Sequence, residues 1–553
     1  MKKLVEFVNN KTASAWSDIL ILAIAFSISF FQFLGRFPLI EPDEGRYSEI
    51  PREMLARWDF ITPTLNYVKY FEKPPLLYWL NSISFSIFGQ NELAARLVSA
   101  MSGFLTVLFI YWVGRRLFDR RVGLLSAIIL GSAGGFIAQA RINIIDMLLT
   151  FCMTLCLGSF ILAVKETGRS KTFYYYLFYI AAALAVLAKG LIGIVFPGGI
   201  IFLFMLFRKR WDILREMRLI TGSLLFFIIA APWFVLVSLK NPEFLGFFFI
   251  HEHFERFLTK IHGRYEPLWF FVPVLIGTMI PWSFFIPAAF RDAWKNRRSG
   301  DGEALTYLAI WGVLIFLFFS MSDSKLVPYI MPVFPPLAVM IGYTFSIAID
   351  KGASTVKWYA VPLLIIITLI GIGLPIQQYL TKKAAFTLTE SIVLGAVFLI
   401  QGVLGLVVLH RKEVEKLVLV LSIGAIVYTS IGVNFIYAGL AESKTAKPMG
   451  LKVKELAGPD AIIASFGYDQ TLPFYSGRRI VVIGDKNELE FGSEQGNHSG
   501  WFIDEPTFLQ IWNSDKRVFA VLSKDKFKSL AKVSQRPVWP IVENNKKVLV
   551  TNM

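Results

Sequence analysis

Apolar residues in this chain gather into runs that approach or exceed the ~18–20 residues needed to cross a hydrocarbon layer. Read by that pattern, spans fall at 16–34, 97–113, 122–140, 147–164, 173–188, 191–207, 219–239, 269–290, 305–321, 327–349, 358–376, 391–409 and 417–437, about thirteen in all. The polar segments between them alternate in character. Arg115, Arg116, Arg120 and Arg121, the stretches 208–218 and 291–298, and His410 to Lys416 fall on one side, with Lys2, Lys3 and Lys11 ahead of the first span. The short loops around Asn143, Lys189 and Asp323 fall on the other side and are poor in cations. Because cations mark the cytoplasmic side, the N-terminus is expected inside and, after an odd number of spans, the C-terminus outside. No small-residue cleavage site follows the first run, which is read as a retained span.

Three segments break the pattern. Residues 36–92 are too charged to span and read as a long outward loop whose aromatic and apolar residues form helices at the interface. Residues 240–268 form a second outward loop. From about 441 the chain takes on soluble character: 461–466, 479–483 and 518–522 read as buried strands, alternating with helical stretches at 507–512 and 526–532. The expected fold is a polytopic α-helical membrane domain, 1–440, with outward loops 36–92 and 240–268, followed by a soluble α/β domain, 441–553. That last domain carries no Gly-rich phosphate loop and no obvious acid–base cluster, so a supporting role is expected for it.

Composition strengthens this picture. Charged residues make up 17% of the 553 positions, against about 25% in a soluble protein. The net charge of +16 could indicate a nucleic-acid partner, but the cations are scattered among short loops rather than gathered in a patch, so none is expected. Cys152 and Cys156 lie four apart in one apolar run, share a helix face and read as small core hydrophobes.

Candidate chemistry concentrates on the outward side. The first loop opens Glu41-Pro42-Asp43-Glu44-Gly45-Arg46-Tyr47 and continues to Tyr70-Phe71-Glu72-Lys73-Pro74-Pro75. Its acids read either as a general base or metal ligands at a membrane cavity, or as solvated charges and helix caps. Lys73, beside two rigidifying prolines, can hold a phosphate as a point charge. Asp146 begins a span, where an acid is favoured by the macrodipole and serves either as a cap or beside Asp43. The second loop contains His251-Glu252-His253 and Arg256. Glu72 with one of these histidines, His253 the better placed, suggests an oxygen-and-imidazole site for a divalent cation such as zinc. Lys325, in Asp323-Ser324-Lys325-Leu326-Val327-Pro328-Tyr329, reads either as a snorkelling lysine at the lipid headgroups or as a counter-charge to a phosphate.

In order and together, Pro42-Asp43-Glu44-x-Arg46-Tyr47, Phe71-Glu72-Lys73-Pro74, Glu252-His253-x-x-Arg256-Phe257 and Ser324-Lys325-Leu326-x-x-Tyr329 resemble the bacterial branch of the protein O-mannosyltransferase superfamily. Within it the chain is most similar to the 4-amino-4-deoxy-L-arabinose lipid A transferases, along its whole length. The resemblance implies a GT-C-type glycosyltransferase of the bacterial inner membrane. Its donor would be an undecaprenyl-phosphate-linked sugar and its acceptor a lipid A phosphate on the periplasmic face. Resistance to polymyxin and cationic antimicrobial peptides would follow, and the protein would act as a monomer. On matching positions the resemblance makes Asp43 the leading catalytic residue with Asp146 nearby. It makes Lys73, Arg46, Arg256, Lys325 and Tyr329 the phosphate-binding set, and Glu72 with His253 a metal or structural site.

The Glu72-Lys73-Pro74-Pro75 motif is shared by many sugar transferases of this superfamily, so mannose transfer to protein or galacturonate transfer to lipopolysaccharide stays open. A lipid-sugar transporter is the rival class. It would place charges within spans and show repeated halves, and neither feature is legible.

Overall fold

The computed structural model describes residues 14–248, 266–381 and 387–553. It divides into two compact units. One comprises the described residues of Met1–Gln32, Ser99–Val235 and Phe249–Ile436, and the other Phe33–Val98, Leu236–Phe248 and Tyr437–Met553. The first outward segment and the start of the second therefore fold with the C-terminal residues, whereas the sequence suggested a boundary at 440.

The first unit is helical. Among the described residues, nine helices are long and apolar enough to cross a membrane, and up to eleven if two bent pairs each count as one span. Length and composition thus single out nine to eleven of the thirteen expected spans. Ala15–Phe31 and Ile192–Arg208 are shorter apolar helices at two further expected positions. The expected span at 269–290 is instead Phe271–Thr278 and Trp282–Lys295, bent by 113° at a break containing Pro281, where a backbone N–H is lost. Arg120–Gly131 and Gly134–Ala140 are bent by 65°. The two breaks meet, since Trp282 Nε1 donates to Ser132 Oγ at 3.0 Å.

Close backbone approach holds these helices together, as expected where lipid offers no hydrophobic drive for association. A Cβ on Gly123 would lie 2.6 Å from the Tyr111 carbonyl oxygen, so only glycine allows Glu92–Leu117 and Arg120–Gly131 to pack at this distance. A buried polar knot fixes the first helix against both. The Asp18 carboxylate, fully buried, accepts from Arg120 Nε and Nη2 at 2.7 Å each, Arg115 Nη1 at 3.0 Å and the Tyr111 hydroxyl at 2.6 Å. The helix Leu219–Lys240, in contrast, exposes Ile220, Leu224 and Phe227, the surface expected of a span facing lipid.

The second unit contains the helices Asp43–Arg57 and Leu76–Phe88, joined through a two-stranded hairpin, Thr64–Leu65 with Val68–Lys69. Its C-terminal part is a six-stranded sheet in the spatial order Phe502–Ile503, Val481–Ile483, Ile462–Phe466, Val518–Ser523, Lys547–Thr551, Trp539–Glu543. The first four strands are parallel and the last two antiparallel. Both faces are covered, which explains the unbroken apolar runs. Val518, Ala520 and Leu522 pack on one side with Phe508 and Trp512. The alternate residues Phe519 and Val521 pack on the other with Met449 and Leu472. The expected strands and helices of this region are present. The hairpin 539–551 and the strand Phe502–Ile503 were not expected, because the first is interrupted by charge and the second is two residues long.

Candidate functional site

In the second unit the site is built on the first turn of Asp43–Arg57. Pro42 occupies the N-cap without a side-chain cap bond, and Asp43 and Glu44 supply the negative charge that a helix N-terminus favours. Successive residues on a helix point apart, so these neighbours have separate fates. Glu44 is buried and takes a two-pronged contact from Arg96, with both N–O distances 2.8 Å, and the Tyr437 hydroxyl at 2.6 Å. Asp43 keeps a side chain 49% exposed.

One turn of helix brings Arg46 beneath Asp43, and the two form an ion pair. Arg46 Nη1 also pairs with Glu488, donates to the Tyr70 hydroxyl oxygen at 3.1 Å and lies 4.0 Å from the Glu72 carboxylate. Gln470 Nε2 donates to the other oxygen of Glu488 at 2.7 Å. Three carboxylates thus surround one buried guanidinium. Burial pushes the Glu488 carboxyl up, Arg46 pulls it back and Glu72 adds to the rise, with a net shift upward. Burial also pushes the Tyr70 hydroxyl well up, against the pull of Arg46. For Arg46 burial acts downward, but Glu488, Tyr70, Tyr47 and Asp43 overcome it and hold the group charged.

The bend that carries Glu72 and Lys73 is anchored by Phe71, buried against Phe244 and Phe491 with ring centroids 5.3 and 6.0 Å away. Lys73 Nζ donates to the Glu72 carbonyl at 2.7 Å. The start of the helix is held against the C-terminal region by contact too close for any side chain: a Cβ on Gly45 would lie 2.7 Å from the Gln470 carbonyl carbon.

In the first unit, Asp146 lies in the first turn of Ile145–Lys165 and pairs with Lys189, the last residue of Gly168–Lys189. Each charge sits at the helix end that favours it. Lys189 Nζ lies 4.3 Å from the centroid of the Tyr329 ring, and that ring packs on Phe319 at 5.3 Å. Lys325 is buried and its Nζ donates to the Glu266 carbonyl oxygen at 2.7 Å, which is not the posture of a lysine reaching to headgroups.

The structure therefore gathers Asp43, Arg46 and Glu72 into one cluster, and Asp146 with Tyr329 around Lys189 in another. Arg46 was expected as a phosphate ligand. Its Nη atoms are instead engaged by Asp43, Glu488 and Tyr70, so its first role is to hold carboxylates. Asp146 is more than a helix cap, since it carries an ion pair. His253 and Arg256 lie outside the described residues. Glu72, the described half of the expected metal pair, already faces a guanidinium, and the described residues contain no group of three His, Cys, Asp or Glu side chains disposed to hold a metal ion.

Sequence reasoning missed Glu488, Gln470, Tyr70 and Lys189. The C-terminal region was assigned a supporting role, yet it supplies Glu488 from a point 442 residues beyond Arg46. Nothing local in Asn487-Glu488-Leu489 signals that. Lys189 did carry a signal, as a lysine ending an apolar run just before Gly190 on the cation-poor side.

The profile of the dolichyl-phosphate-mannose-protein mannosyltransferase family matches residues 16–248, and that of the aminoarabinose transferase C-terminal domain matches 449–552. An undecaprenyl phosphate-alpha-4-amino-4-deoxy-L-arabinose arabinosyl transferase of Erwinia tasmaniensis is 28% identical over 536 residues, covering 90% of this chain and 91% of its own. The protein of the same description from Aeromonas salmonicida is 34% identical over 338 residues, 60% of each chain. The fold is similar to the crystal structure of ArnT from Cupriavidus metallidurans bound to undecaprenyl phosphate, with a TM-score of 0.86 and 28% identity over 98% of this chain and 99% of that one.

Proposed function

This chain belongs to the aminoarabinose lipid A transferase family of the GT-C superfamily, and from that premise we propose that it moves 4-amino-4-deoxy-L-arabinose from undecaprenyl phosphate to a phosphate of lipid A. The observation that carries this reading is the similarity, over nearly the whole of both chains, to a structure holding undecaprenyl phosphate. The protein is an integral inner-membrane glycosyltransferase. The loop charges support a cytoplasmic N-terminus and a periplasmic C-terminal region. Modification of lipid A lowers its negative charge, from which resistance to polymyxin and other cationic peptides follows. The protein acts as a monomer in this reading.

In the reaction the bond between the sugar C1 and the carrier phosphate breaks, and the carrier leaves as undecaprenyl phosphate. A new bond forms from an acceptor phosphate oxygen to C1. That oxygen is already anionic, so no strong base is needed. What must be stabilised is positive charge growing on the sugar and negative charge growing on the leaving phosphate. Asp43, half-exposed and fixed from below by Arg46, is suited to the first task. Three carboxylates around one guanidinium bias this cluster negative, which supports a donor that carries an ammonium over a neutral sugar. Lys73, Arg256 and Lys325 act on the leaving phosphate. Lys189 and Tyr329 sit beside Asp146 as a second charged site.

A divalent cation shared by Glu72 and His253 remains part of the proposal on ligand chemistry alone, and no step passes through it. Elemental analysis of the purified protein and of Glu72→Gln tests it: equal metal content in the two removes Glu72 as a ligand. The transferase reading itself is tested by mass analysis of lipid A from cells with and without the protein. The expected difference is one aminopentose. Identical spectra, with the protein present in the membrane, would refute it.

A further inference from the structure

A cavity of about 850 Å³ opens between the helices Ile192–Arg208 and Gly302–Met321 and the end of Trp282–Lys295. Its size falls within the roughly 300–1,000 Å³ usual for a bound small molecule. Along most of its length the walls are apolar, with Phe196, Leu203, Ile310 and Leu314 among them. Arg208, Arg297 and the exposed Arg298 also line it, and no carboxylate does. Arg208 Nη1 donates to the Arg297 carbonyl at 3.0 Å, and Arg297 Nη1 to the Trp294 carbonyl at 2.7 Å. The Arg297 guanidinium also lies 4.1 Å from the centroid of the Trp294 ring. Among the described residues none of the three has an acidic partner. Neighbouring Arg210 differs, being paired with both Asp212 and Glu303, so the protein neutralises one cation here and leaves three for something else.

We propose that this cavity is a binding site for an anionic phospholipid, with its acyl chain between the two helices and its phosphate at Arg208, Arg297 and Arg298. Apolar walls with uncompensated arginines in the lining match one kind of molecule in chemistry: a hydrocarbon chain ending in a phosphate. Basic pockets between membrane helices select anionic headgroups for this reason, and guanidinium geometry suits phosphate oxygens. The leaflet, though not the binding, rests on the orientation proposed above: the arginines belong to the cytoplasmic loops, so the lipid comes from the inner leaflet. This site lies wholly in the first unit and involves none of the residues assigned to sugar transfer.

The test uses full-length delipidated protein in detergent, titrated with phosphatidylglycerol or phosphatidylcholine, with adducts counted by native mass spectrometry. Wild type should retain phosphatidylglycerol in preference to phosphatidylcholine. Each of Arg208→Gln, Arg297→Gln and Arg298→Gln should weaken that retention about fivefold, the effect of about 1 kcal/mol per cation. Gly199→Leu keeps all three arginines, fills the cavity from one wall and improves helix propensity, and it should abolish the adduct. Equal retention of the two lipids by wild type needs no variant to interpret and would overturn the site. So would undiminished binding in the arginine variants or in Gly199→Leu. Displacement of phosphatidylglycerol by undecaprenyl phosphate at equal concentration would overturn the phospholipid as occupant. Because the adduct is read without turnover, failure here is separable from failure of the transferase assignment.

Discussion

Lys189 holds its ammonium between the Asp146 carboxylate and the face of the Tyr329 ring, 4.3 Å from the ring centroid. The ion-paired side chains are only 11% and 12% exposed. Removing one member of such a pair leaves the other charged, buried and unanswered, which typically costs about 3–5 kcal/mol. Lys189→Met should therefore lower the thermal midpoint sharply, and Asp146→Asn in the same chain should restore much of it. A single variant that melts with wild type would show that the pair contributes nothing to stability.

Arg46 presents a related case in which one cation serves several acids. Arg46→Gln leaves Glu488 buried beside Glu72 and Asp43 without a counter-charge. The variant should be destabilised by about 3–5 kcal/mol, and Glu488→Gln should relieve it. The coupling between the two substitutions, measured as a double-mutant cycle in chemical denaturation, should fall in the range of about 0.5–3 kcal/mol found for contacting residues. Simple additivity would contradict the contact.

How far the sequence foretells this cluster depends on how local each partner is. Asp43 and Arg46 stand three apart on a helix and share a face, so their pairing is legible once the helix is drawn. Glu72 is reached only across the hairpin 64–69, and Glu488 only through the packing of Gly45 on Gln470. The apolar runs forecast most spans because hydrocarbon thickness fixes their length. They could not forecast the bend of 113° near Pro281, since proline is tolerated inside membrane helices and Pro197, Pro232 and Pro362 lie within continuous ones here. The parallel core strands were legible from their unbroken apolar runs. The terminal hairpin, whose outer strand Trp539–Glu543 is largely exposed, offered no such run.

Glu53 supplies a pH dependence. Its carboxyl accepts from Thr64 Oγ1 at 2.6 Å and from the Tyr67 amide at 3.0 Å, yet burial and then Glu49 raise its pKa to about 8, with Arg52 opposing. A solvated glutamic acid titrates near about 4.3. Between those values the folded state binds the extra proton, so stability falls as pH rises through the interval. The favourable contribution is complete below the lower value and lost above the upper one. Glu53→Gln removes this titration. Thermal midpoints of wild type, minus those of the variant, should decline from pH 5 to pH 9, and a flat difference would exclude Glu53 as the titrating group.

Asp43 and Lys73 should separate turnover from binding. Asp43→Asn keeps the shape and removes the charge. The side chain is 49% exposed, so beyond the loss of its contact with Arg46 the fold should be little affected. If the carboxylate acts on charge that exists only in the transition state, kcat should fall roughly 10²–10³-fold, the usual loss for one electrostatic group. Donor affinity should persist. If Lys73 is the counter-charge proposed above, Lys73→Ala removes it from a phosphate that is anionic in the bound donor as well as in the leaving carrier. It should therefore raise KM for the polyprenyl-phosphate sugar along with any loss of turnover. Binding of undecaprenyl phosphate, followed without acceptor, provides the second readout: it should be unchanged in Asp43→Asn and weakened in Lys73→Ala. An Asp43→Asn protein that turns over at the wild-type rate would remove this carboxylate from the chemistry, and Asp146 would be the acid to test next. A Lys73→Ala protein with unaltered carrier binding would assign the lysine to the bend that positions Glu72, consistent with its bond to that carbonyl.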